Sequence, residues 1–252
     1  MIDKTTIVAN WKMNPPSLKE AKKLYAATKK AAVGARGVRV VVAPPAVFLS
    51  PLAKGRRGRN AAFAVQNAHF EKSGAHTGEI SYAQAKDTGV AYAIIGHAER
   101  RAAGEMNDDV RKKVAAALTS GVVPIICIGE KERSDSGEYF GVVKEQLHSA
   151  YTNVPQKRIA STLVAYEPVW AIGAEEAMKP NDMQEMVIFI RKCIAEMYAP
   201  AQVSTFPMIL YGGAIDAGNA RDMLAQGDIG GFLVGRSSTN IKKVTALFNA
   251  LR

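Results

Sequence analysis

Cysteine is scarce in this chain, and its scarcity narrows the protein's class before any motif is read. Only two occur in 252 residues, Cys127 and Cys193, each inside an apolar stretch. That leaves no disulfide framework and points to a reduced, cytoplasmic protein. No apolar run approaches the ~18–20 residues that span a bilayer, so no membrane partner is expected. The first fourteen residues, MIDKTTIVANWKMN, carry a lysine but neither an apolar core nor a small-residue cleavage site, so no signal peptide is expected. Aromatics are few, and they are not interleaved with the basic clusters as a base-stacking platform requires. No Gly-x-Gly-x-x-Gly follows the first apolar run, and no linker or low-complexity tract divides the chain.

The composition that remains, 48% apolar and 22% charged, is that of a globular protein able to bury a core. The formal charge is +10, with basic residues grouped in KGRRGR at 54–59, RKK at 111–113 and several Lys-Lys pairs. Without interleaved aromatics these read as solvated helix faces, and no nucleic-acid partner is expected.

Eight short apolar runs follow one another: Thr5–Ala9, Val38–Ala43, Ala61–Val65, Ala91–Ile95, Val123–Ile128, Ser161–Ala165, Pro207–Leu210 and Gly231–Val234. Most are almost continuously apolar, as strands of a parallel sheet buried on both faces should be. Helical periodicity fills the gaps. Ser17 to Ala32 opens with a capping-box pattern, Ser17 and Glu20. Asn107 or Asp108 caps a helix to Thr119, Pro180 to Met197 forms the longest, and Asn240 to Leu251 the last. Strand then helix, eight times, predicts an α/β fold, a closed (β/α)8 barrel forming a single domain over residues 1–252. The alternative, an open doubly wound sheet, lacks its glycine fingerprint here.

Barrel chemistry gathers where strands end. Asn10 and Lys12 follow the first run, Gly96-His97-Ala98-Glu99-Arg100-Arg101 the fourth, Gly129-Glu130 the fifth and Glu167 the sixth. Tyr211-Gly212-Gly213-Ala214 follows the seventh and Gly235-Arg236 the eighth. Singly, each has a bland reading: a surface lysine, a hydrogen-bonded histidine, turn glycines. Jointly they supply what proton abstraction beside a carbonyl on a phosphorylated substrate requires. A carboxylate takes the proton, an imidazole and an ammonium stabilise the enediolate, and backbone N–H groups hold phosphate. A Schiff-base barrel enzyme would need a lysine ending the sixth strand, and a metal enzyme would need Asp/His ligand spacing; neither is read.

The segments NWKMN (10–14), QNAHFEKSGAHTGEIS (66–81), GHAERR (96–101), CIGE (127–130), AYEPVWAIG (165–173), YGGA (211–214) and GFLVGR (231–236) run in order along the whole chain. Together they resemble the triosephosphate isomerase family. The resemblance implies a TIM barrel that interconverts dihydroxyacetone phosphate and glyceraldehyde 3-phosphate, in glycolysis and gluconeogenesis, without metal or organic cofactor. It implies Glu167 as the base, His97 as a neutral imidazole donor, Lys12 as the positive charge, Asn10 as their positioner and Glu99 as the partner of Lys12. That family is itself a standing illustration of tuning a base and a neutral histidine by environment. Backbone N–H groups of Gly173, Ala214, Gly235 and Arg236 would hold phosphate, and Ile172 would wall off the base. Pro168 to Met178 would be a lid, with Pro168 and Trp170 in its first hinge and Tyr211 as a latch. A homodimer is implied, with Thr77 reaching the partner's site.

Four departures fall on the same machinery. The lid tip reads Ala174-Glu175-Glu176 where the family usually has Thr-Gly-Lys. Ala98 and Ala214 stand where a serine is usual, and Arg236 replaces the second glycine of a pair. Losing the hydroxyl at 214 would remove about 0.5–1.5 kcal/mol from lid closure. The expectation is an active isomerase with a weakened closed lid. The alternative is a barrel of this family with severely reduced activity or a non-catalytic binding role.

Overall fold

Eight parallel strands pair in sequence order and close when β1 meets β8, in a computed structural model that describes residues 5–54, 61–174, 176–198 and 206–252. Part of the N-terminal segment, most of the KGRRGR run, Glu175 and residues 199–205 lie outside the described residues. The strands are β1 Thr5–Asn10, β2 Val38–Ala43, β3 Ala61–Val65, β4 Tyr92–Ile95, β5 Val123–Ile128, β6 Leu163–Tyr166, β7 Met208–Tyr211 and β8 Gly231–Val234. The helices in chain order are α1 Leu18–Gly34, α2 Ala46–Lys54, α3 Tyr82–Asp87, α4 Ala98–Ala102, α5 Asn107–Thr119, α6 Glu138–Tyr151, α7 Gln156–Ile159, α8 Pro180–Met197, α9 Ala220–Gln226 and α10 Ile241–Ala250. Among the described residues no helix is long and apolar enough to cross a membrane. Both cysteines are free and buried.

Alternation explains why the strand sequences are continuously apolar. Val8, Val41, Ile94, Ile125, Leu210 and Leu233 fill the barrel interior as one cluster. Their neighbours Ile7, Val40, Val42, Ile95, Ile126 and Phe232 point outward into the layer beneath the helices. Burying each such large side chain contributes about 1.5–3 kcal/mol, so neither face can be polar.

Local signals set most boundaries. Ser17 Oγ accepts the Glu20 N–H at 3.3 Å and starts α1, though only this half of the expected box forms. A complete box instead opens α3, between Ser81 and Gln84. Pro180 takes the first position of α8, where its missing N–H costs nothing. Asn240 caps α10 through the N–H groups of Lys242 and Lys243. Several expected boundaries shift by a residue or two, among them the seventh strand, which runs Met208–Tyr211 rather than Pro207–Leu210, and two shifts have a visible cause. The sixth strand begins at Leu163 rather than Ser161, because Thr162 Oγ1 donates to the Ile159 carbonyl at 2.7 Å and closes the turn after α7. The cap of α5 is Met106, whose N–H is taken by Asp109. Asn107 turns away, accepting from Arg101 at 2.7 Å and donating to Glu145 at 3.1 Å.

Candidate functional site

The C-terminal ends of the strands surround a cavity of about 670 Å³. Asn10, Lys12, His97, Glu99, Glu167, Ile172, Gly173, Ala214, Gly235 and Arg236 all line it, so residues 226 positions apart in sequence (236 − 10) share one mouth. Tyr211, Pro168, Trp170 and Thr77 stand outside the lining, Pro168 and Trp170 in the segment after Glu167, Tyr211 at the end of β7 and Thr77 exposed on the loop after β3.

Glu167 leaves β6 at the rim and is almost fully buried, 2% exposed. Two glycines make room for it. A side chain at Gly129 would meet the Glu167 carbonyl oxygen at 1.9 Å, and one at Gly212 would meet Glu167 Cγ at 2.7 Å. The carboxylate accepts the Ala98 N–H at Oε2, 2.9 Å, and faces His97 Nε2 from Oε1 at 3.2 Å. Burial raises its pKa above the ordinary carboxylate value; the nearby imidazole, the Ala98 amide, Cys127 and Lys12 work against that rise. Ala98 has no hydroxyl to offer this acid, but its backbone amide holds it.

His97 is the N-cap of α4, and its Nδ1 accepts the Glu99 N–H at 3.1 Å. A ring nitrogen that accepts carries no proton, so this network assigns the hydrogen to Nε2, which faces Glu167. The loop is braced from behind, where Arg101 Nε donates to the Gly96 carbonyl at 2.9 Å.

Lys12 sits at φ 51°, in the left-handed region that non-glycine residues avoid. Its neighbours hold it there. Its N–H donates to Asn10 Oδ1 at 3.1 Å, and its carbonyl accepts from Gln66 Nε2 at 2.8 Å. The ammonium reaches Glu99 Oε1 at 2.5 Å. Asn10 is buried and is fixed in turn by Ser238 Oγ, which donates to its carbonyl at 3.3 Å.

Hydrogen bonds involving side chains tie the segment after Glu167 to the barrel at three points. Trp170 Nε1 donates to Glu130 Oε1 at 2.9 Å, and Glu130 also accepts from the Tyr166 hydroxyl at 2.8 Å and 3.0 Å. The Met178 N–H donates to the Tyr211 hydroxyl at 3.0 Å. Arg236 Nη2 donates to the Gly173 carbonyl. Arg236 does not take a positive φ, so replacing glycine there imposes no backbone strain. Ala214 offers no side-chain bond to that segment, and its carbonyl accepts from Asn219 Nδ2 at 3.2 Å.

Residues 5–251 match the family described as triosephosphate isomerase. The chain belongs to the triosephosphate isomerase family. A triosephosphate isomerase of Coprinopsis cinerea is 42% identical over 232 residues, covering 91% of each chain. Another, of Endomicrobium trichonymphae, is 38% identical over 247 residues, covering 97% of each. The protein is thus an isomerase on a (β/α)8 barrel, and its cavity lies where that fold places chemistry.

Three residues of this neighbourhood carry no role in the sequence reading. Glu130 appears only as a residue after the fifth strand and in CIGE, Gln66 only as the start of a motif, and Ser238 not at all. A buried carboxylate is the one detectable signal among them, since an acid is rarely buried without partners.

Proposed function

We propose that the chain interconverts dihydroxyacetone phosphate and glyceraldehyde 3-phosphate by proton transfer at Glu167. The observation that carries this reading is a buried carboxylate facing an imidazole N–H inside the barrel mouth, with Lys12 and Asn10 on the same lining. The Glu167 carboxylate removes a proton from the carbon beside the carbonyl. The C–H electrons become the enediolate double bond, and the carbonyl electrons move onto oxygen. His97 Nε2–H, which in this structure faces Glu167, turns its donor to the substrate oxygens, and Lys12 stabilises the same developing charge. Glu167 then returns the proton to the neighbouring carbon, while the hydroxyl proton passes from the old alcohol oxygen to the former carbonyl oxygen by way of His97 Nε2, so the carbonyl moves by one carbon and no atom is gained or lost.

Burial serves this step directly. A carboxylate whose pKa is raised by desolvation is a stronger base, and covering the site raises it further. The Pro168–Met178 segment acts as the lid, hinged at Pro168 and Trp170 and latched by Tyr211. Ile172 shields Glu167 from water. Backbone N–H groups of Gly173, Ala214, Gly235 and Arg236 hold the phosphate. Two copies form a two-fold dimer, a reading supported by Met13, which is 93% exposed beside Lys12, and by the exposed loop carrying Thr77. A large apolar side chain in water next to the site's lysine is best covered by a second subunit.

The test is isomerisation of glyceraldehyde 3-phosphate in a coupled assay, with Glu167→Gln alongside. A positioned base is worth about 10²–10⁴-fold, so the variant should lose at least that much. Parent activity no higher than that of the variant would instead support the barrel of reduced activity or non-catalytic binding role.

A further inference from the structure

The guanidinium of Arg236 crosses the mouth from the end of β8 and donates to the Gly173 carbonyl on the lid. Gly173 has φ +76°, and a side chain there would stand 3.0 Å from Arg236 Nη2, so the two segments touch at this point. The cavity lining carries three acids, Glu99, Glu167 and Asp216, and three bases, Lys12, Lys243 and Arg236. Lys12 is already neutralised by Glu99 at 2.5 Å. Arg236 has no carboxylate within ion-pair distance among the described residues. Its five donors form a fork, and one bond to a carbonyl leaves most of them free to meet a second acceptor.

We propose that Arg236 is a phosphate-binding residue of this isomerase that also fastens the lid: its guanidinium grips the substrate's phosphate dianion while keeping its bond to Gly173. The bound phosphate then supplies the energy that holds the lid down, which offsets the hydroxyl lost at Ala214. The inference rests on the isomerase reading above and gives its phosphate site a side-chain cation in addition to backbone N–H groups. A bidentate guanidinium–phosphate contact is roughly twice as strong as a neutral hydrogen bond, and it weakens with salt because the residue is exposed.

The experiment is calorimetric titration of the full-length chain with inorganic phosphate, for the parent, Arg236→Gly, Arg236→Gln and Arg236→Lys. The coupled assay is run on the same preparations, and melting temperatures confirm that each variant is folded. The Gly and Gln variants should bind phosphate about 10- to 100-fold more weakly, the range of a charge-assisted bond. The Lys variant should recover part of the loss, because it restores charge without the fork. The gap between parent and Gly variant should narrow as salt rises. A purely structural role would show neither lysine rescue nor this salt dependence. Phosphate affinity unchanged or tighter in the Gly variant would overturn the proposal and make Arg236 an obstruction. Calorimetry needs no turnover: a parent chain that fails to isomerise but binds phosphate through Arg236 would refute the isomerase reading and leave this one standing.

Discussion

Removing one oxygen atom from Tyr211 isolates the proposed latch of the lid. The Met178 N–H donates to the Tyr211 hydroxyl at 3.0 Å, and both residues are buried, at 2% and 0% exposed. Tyr211→Phe keeps the ring and its packing, and it leaves that amide with no protein acceptor. A buried donor left unpaired costs about 1–3 kcal/mol, against roughly 1 kcal/mol for an ordinary net bond. The cost falls on the closed lid alone, because an open lid lets water reach the amide. At about 1.4 kcal/mol per factor of ten, a central value of about 2 kcal/mol predicts that kcat/KM falls about 30-fold. Burial pushes the Tyr211 pKa up to about 12, so the hydroxyl stays neutral through the assay range. The deficit should therefore be flat between about pH 6 and 9, unlike the loss of an ionising group. The assay is steady-state isomerisation in both directions, with release of inorganic phosphate followed in parallel. A poorly covered enediolate eliminates its phosphate, so leakage should rise as kcat/KM falls. A kcat/KM within twofold of the parent, or a deficit that titrates, would refute the latch.

Two further outcomes follow from the same structure. Glu167→Gln should melt higher than the parent at neutral pH. The folded carboxyl pKa lies above its unfolded value, so the folded state holds the extra proton between the two, and stability falls as pH rises through that window. The gap should close toward the acid side, below the ordinary carboxylate pKa, and a gap that widens there under calorimetry would contradict the sign. Light scattering at micromolar protein should return twice the 27.0 kDa chain mass, with a monomer excluding the dimer and the cross-subunit role of Thr77.

Much of this was legible from the order of residues, for definite reasons. A strand buried on both faces must be apolar throughout, so Val123–Ile128 could be read without knowing that Ile125 and Cys127 face inward while Ile126 and Ile128 face out. Glu167, His97 and Lys12 each have an ordinary structural reading alone; what made their meeting legible is that all three directly follow strands of one barrel, and all three line its cavity. Backbone groups, by contrast, have no sequence signature. Counting hydroxyls at 98 and 214 leads to a weakened lid, yet the amide of Ala98 still tethers Glu167, at 2.9 Å. The αL backbone of Lys12 was equally hidden, because what stabilises it is a glutamine carried on the loop after another strand. Arg236 was ambiguous for a different reason: sequence gives the charge of a long side chain but not its direction.

The arrangement separates two events that are easily taken as one. The proposed lid segment is tied at Trp170, Gly173 and Met178, while Glu167 still faces His97 and Ala98. Fastening the lid therefore does not by itself aim the base. The His97 Nε2–H can serve only one acceptor well at a time. A substrate carbonyl that takes this donor removes one of the two bonds holding Glu167 back. The phosphate end of the substrate would thus set the lid, and the carbonyl end would free the carboxylate. Binding energy from the part that does not react then maintains a dry site in which the freed base is strongest. Arg236 and Tyr211 act on the first event and His97 on the second, so their variants should affect closure and proton transfer separately.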